Sequence, residues 1–118
     1  MTTTIQGEMP IRLDWRMKQG ADFSKTIELY EDDGVTPKNT TGYAMTMKVK
    51  SAPNGETYDT LTIGSEITHT PSAGRFVILR NAAAVDAYDW GNAIYDIIIT
   101  DASNGKTCPF YGEIAMLP

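Results

Sequence analysis

Reactive side chains are scarce in this chain. Among 118 residues there is one cysteine, Cys108, and one histidine, His69. A single thiol cannot close an intrachain disulfide, which excludes a disulfide-stapled secreted scaffold. With no cysteine pair and no second histidine, a zinc site of the usual kind is excluded, and a thiol nucleophile would have only His69 as its base. Basic charge is also short: ten Lys and Arg stand against fifteen Asp and Glu, for a net charge of −5. The basic residues are scattered, with the nearest approach to a cluster over 12–18, so neither nucleic acid nor an anionic membrane is an expected partner. No stretch approaches the roughly 18 apolar residues of a membrane helix. The start, Met1-Thr2-Thr3-Thr4-Ile5-Gln6-Gly7, lacks the basic and apolar regions of a signal peptide. No Gly-rich loop precedes a helix, so common nucleotide-binding motifs are missing. The expectation is no cofactor, no metal and no catalytic residue.

What the chain has is alternation. Over 93–101, Tyr95, Ile97 and Ile99 fall on one face of an extended chain, while Ile94, Asp96, Ile98 and Thr100 fall on the other. This reads as the central strand of an antiparallel sheet. Over 11–18, Ile11, Leu13, Trp15 and Met17 share one face and Arg12, Asp14, Arg16 and Lys18 the other, which predicts a half-buried or interface strand. Further strands are expected over 22–31, where Lys25 breaks the apolar side as near a sheet edge, over 43–50 with Tyr43, Met45, Met47 and Val49 inward, over 57–63, around Ile67, over 75–79 as a buried strand, and over 107–116. Pro109 near the start of the last strand predicts an edge or a bulge there. Turn signals at Gln19-Gly20-Ala21, Glu31-Asp32-Asp33-Gly34, 51–55 and 70–74 separate them. One helical link is expected over 81–90, capped by Asn81. Seven or eight strands spaced this way predict an all-β fold, an antiparallel immunoglobulin-like β-sandwich over 11–118, with a partly open barrel as the alternative. Residues 1–10 are expected to form an extended N-terminal arm with little packing of its own.

The candidate chemistry is sparse. Glu31-Asp32-Asp33 reads as a solvated turn and does not match a calcium-binding helix–loop–helix. His69 sits in a polar Thr-His-Thr-Pro stretch, read as an exposed loop histidine. Cys108 reads as a small half-buried strand residue. Asp96 and Glu113 fall on neighbouring strands and read as solvating carboxylates rather than a glycosidase pair. Asn39-Thr40-Thr41 fits the glycosylation pattern, with no secretion signal to use it. Tyr43, Phe76, Tyr95 and Phe110 are expected in the core. Trp15, Trp90 and Tyr111 are candidates for interface anchors.

The order of motifs carries more than any one of them. Gln19-Gly20-Ala21-Asp22-Phe23 opens a strand, Asp32-Asp33-Gly34 turns it, Thr41-Gly42-Tyr43 opens the next, and Gly74-Arg75-Phe76 precedes the Ala-rich link. Tyr95-Asp96-Ile97-Ile98-Ile99-Thr100-Asp101 is followed by Asn104-Gly105-Lys106-Thr107 and a final Gly112-Glu113-Ile114. Over about 11–116 this resembles small β-sandwich proteins of tailed bacteriophages and prophages, a layout shared by the N-terminal domain of some baseplate and tail-fibre proteins. The resemblance implies a non-enzymatic virion component, assembled in the host bacterial cytoplasm. It would pack against other virion proteins, in repeated copies of a symmetric assembly. Within that class a tail, baseplate or tail-fibre attachment or adaptor protein is preferred. A capsid decoration protein and a carbohydrate-binding or adhesion module are the alternatives. Ile11, Leu13, Trp15 and Met17 are the residues expected at a subunit contact.

Overall fold

Short alternating segments bounded by turn residues cannot bury their apolar faces alone, so they stack into sheets that share a core. The computed structural model describes residues 2–5 and 11–118. In chain order the strands are β1 (Thr2–Ile5), β2 (Ile11–Arg12), β3 (Trp15–Lys18), β4 (Phe23–Leu29), β5 (Ala44–Lys50), β6 (Thr57–Thr62) and β7 (Ile67–Thr70), then β8 (Arg75–Arg80), β9 (Asn92–Thr100) and β10 (Lys106–Leu117). A 3-10 turn, Pro71–Ala73, precedes β8, and a short helix, α1 (Ala82–Asp86), precedes β9. The smaller sheet has the order β1-β4-β8-β7, and the larger β2-β10-β9-β5-β6, with β3 also on β10. The fold is all-β, as expected.

Central strand β9 joins β5 on one side and β10 on the other, both antiparallel. Its inward residues Tyr95, Ile97 and Ile99 meet Phe76, Ile78 and Ile27 of the smaller sheet in one core. Phe76, Phe110, Ile27, Ile78, Ile97 and Ile114 have no exposed surface. Truncating either Phe to Ala would cost about 3–5 kcal/mol by the usual cost of a large core deletion. Asn81 caps α1 by accepting the Ala84 N–H at 2.9 Å, and Val85 inserts into the core.

The structure departs from expectation in four places. The sheets are mixed rather than purely antiparallel: β1 runs parallel to β4, and β2 and β3 run parallel to β10. Parallel neighbours are not joined by a tight turn, so local turn signals cannot reveal them. The segment 11–18 is two strands, because the chain breaks at Leu13 and Asp14. Over β8, only Phe76 and Ile78 are buried, and Leu79 on the outer side is 47% exposed. His69 lies on β7 and is half-buried. The expected bulge at Pro109 is present as a register shift between Thr107 and Phe110. Of the expected arm over 1–10, residues 1 and 6–10 lie outside the described residues. Thr2–Ile5 is extended and pairs along Thr26–Leu29 of its own chain.

Candidate functional site

The residues singled out for chemistry are placed in structural roles. His69 stacks on Phe76 with ring centroids 4.4 Å apart, and its Nε2 lies 2.8 Å from the Thr40 hydroxyl. Burial holds its pKa below the ordinary histidine value. The Cys108 thiol donates to the Phe110 carbonyl oxygen at 3.4 Å, and burial pushes its pKa up, which keeps it protonated. In the acidic turn, one Asp33 oxygen accepts the N–H groups of Val35 and Thr36, both at 2.8 Å, and the other accepts the Thr36 hydroxyl at 2.6 Å. These bonds lower its pKa, the Thr36 hydroxyl contributing most. Asp33 is therefore committed to holding the turn. Among the described residues no group of three His, Cys, Asp or Glu is placed to hold a metal.

The expected contact residues divide. Trp15 and Met17 are 5% and 2% exposed, and Trp15 stacks on Tyr95 at 4.3 Å. Leu13 is half-buried against the same core. Ile11 is in register with Phe110. The Leu13, Trp15 and Met17 side chains shape the edge from beneath. The edge is fixed by Gly112, where a Cβ would lie 2.1 Å from the Leu13 carbonyl oxygen. The Tyr95 hydroxyl donates to that same oxygen at 2.6 Å, and Asp14 accepts the Glu113 N–H at 3.0 Å. The Glu113 N–H is the main cause of the lowered Asp14 pKa. Of the three proposed anchors, Trp15 and Trp90 are buried and Tyr111 is 40% exposed. No other aromatic residue is in the exposed class, so the coplanar exposed rings expected of a carbohydrate-binding module are not assembled.

The register gathers a surface that the linear sequence does not show. On the outer face of the larger sheet, Lys48, Asp96, Tyr111 and Arg12 form one row across four strands. Lys50, Ile94 and Glu113 form the next, and Lys106 sits opposite Thr100 at the end of the sheet. Arg16 and Lys18 continue the same face along the β3 edge. Six of the ten basic residues lie here, and among the described residues the acidic ones beside them are Asp14, Asp96 and Glu113. Counted over the described residues, six positive side chains stand against three negative ones on this face. Four of the six lysines thus share one face: alternation already marked Lys48 and Lys50 as outward, but only the strand register brings them to Lys106 and Arg12. Asp96 and Glu113 sit on this face on neighbouring strands, two register positions apart, and Glu113 faces the Arg12 guanidinium at 3.7 Å. A shallow depression of about 340 Å³ is lined by Thr46, Lys48, Lys50, Asp96, Ile98, Thr100 and Lys106.

No family model matches the chain. No curated protein sequence is similar to it. Among solved structures, the chain is similar in fold to the N-terminal domain of phage TP901-1 ORF48, with a TM-score of 0.52 and 10% sequence identity. The likeness covers 99% of this chain and 97% of that one.

Proposed function

We propose that this chain is a non-enzymatic structural component of a bacteriophage virion, a tail, baseplate or tail-fibre attachment or adaptor protein that works by packing against neighbouring virion proteins. The observation that carries this reading is the end-to-end fold likeness to the N-terminal domain of a phage protein, over nearly the full length of both chains. The order of turn and strand motifs in the sequence points the same way. The side chains with chemical potential are already engaged in packing and turns, as His69, Cys108 and Asp33 illustrate.

In this reading the contacts are made through sheet edges and the outer face of the larger sheet. The edge built by 11–18, the segment of Ile11, Leu13, Trp15 and Met17, lies at a subunit contact. Residues 1–10 act as an arm that follows an exposed strand, on its own chain or on a neighbour, since an open edge is a template for pairing. Deleting residues 1–10 is expected to impair assembly while leaving the 11–118 domain folded; unchanged assembly removes the arm from the proposal.

The test is immunogold labelling of particles from the phage or prophage that encodes the chain. Label confined to the tail end supports an attachment or adaptor role. Label spread over the head moves the chain to decoration of the capsid. Label absent from particles overturns the virion reading.

A further inference from the structure

The outer face of the larger sheet is basic on an acidic molecule, and one element of the same chain has the complementary chemistry. The turn between β4 and β5 is exposed over residues 31–33 and 35–37. It is closed by an isolated bridge between Tyr30 and Pro37 and by the Asp33 hydrogen bonds. Glu31 and Asp32 are exposed on it, and Val35 is 76% exposed, more than any other large apolar side chain described. Neither carboxylate has an ion-pair partner among the described residues, and the same holds for Lys48, Lys50 and Lys106. The depression those lysines line has half-buried Ile98 among them.

We propose that a second copy of this chain docks here, its 30–37 turn seated in the depression. Glu31 and Asp32 face Lys48, Lys50 and Lys106, and Val35 rests against Ile98. The occupant is argued from charge complementarity and from the preformed shape of the turn, which needs no ordering on binding. The contact joins unlike surfaces, so it is heterologous and builds a closed ring or an open filament. It stands apart from the virion reading and can fail without it.

The test needs no partner: the mass of the purified full chain is followed by light scattering against concentration at about 50 mM and about 500 mM salt, where screening separates ionic contacts from apolar ones. The wild type is expected to associate with rising concentration at low salt and to dissociate at high salt. The pair Lys48→Glu with Lys50→Glu, and the pair Glu31→Lys with Asp32→Lys, are each expected to weaken association at least about tenfold. Thermal melts check that both remain folded. Mixing the two paired variants restores association, because each then offers what the other lacks. A wild type that stays monomeric at low salt, or association that neither exchange weakens, overturns the proposal. Restoration failing on mixing also overturns it, by showing that the two surfaces do not meet.

Discussion

Gly112 is the residue on which the larger sheet's edge depends. Its role is steric, since a methyl group there would collide with the Leu13 carbonyl oxygen at 2.1 Å. Gly112→Ala is expected to destabilise the fold by about 2–3 kcal/mol, as overpacking against fixed backbone does. Gly91→Ala, where a Cβ meets nothing within 4 Å, is the control and should be nearly neutral in the same thermal melt. The sequence shows a missing side chain at 112 on an apolar face, but not the carbonyl that fills the gap, because Leu13 is 99 residues away in the chain. His69 gives a second prediction. Its folded pKa lies below the unfolded value near 6.5, so the unfolded chain binds more protons as pH falls. Its contribution to stability is complete above that value and is lost as pH drops below it. The melting temperature should therefore fall between pH 7.5 and 5, and His69→Gln should flatten the slope. Asp14, Asp33 and Glu66 have lowered pKa values, so their contributions are lost only in more acid solution.

At the scale of elements, alternation and turn chemistry make most strands legible. The β9 faces, the Asn81 cap and the Pro109 irregularity are all local signals, and each appears where those signals place it. Pairing between distant segments is not local. The parallel contacts of β1 with β4 and of β2 and β3 with β10 depend on tertiary approach, as does the bridge between the two sheets at one end of the core. There Arg80 of β8 donates to Asp59 of β6 at 2.7 and 2.9 Å, and the Tyr88 hydroxyl donates to the same carboxylate. Burial, then Asp59, pushes the Tyr88 pKa up to about 12. Arg80→Ala leaves Asp59 partly buried without its cation, and should cost about 2–3 kcal/mol in denaturant unfolding, somewhat less than a fully buried pair. Arg75→Ala, which breaks a more exposed pair with Glu28, should cost less than about 1 kcal/mol. Equal effects would contradict the assignment of Arg80 as the link between sheets.

For the whole molecule, the separation of charge is the property that composition conceals. A net charge of −5 describes the chain, yet six of its ten cations share one sheet face. Such asymmetry steers association and fixes orientation more than it adds affinity. In the assembly proposed above, it would fix the way round in which the chain docks. The contact candidates legible in the sequence, Trp15 and Met17, lie in the core because a two-faced strand at an edge reads alike whether its apolar side meets a neighbour or its own second sheet. The measurement that bears most directly on the account is quantitative mass spectrometry of gradient-purified phage particles released by the strain that carries the gene. The account predicts that the protein is present at a fixed copy number relative to the tail proteins, unchanged by high-salt washing of the particles. Its absence from intact particles, with the protein abundant in the same lysate, would contradict it.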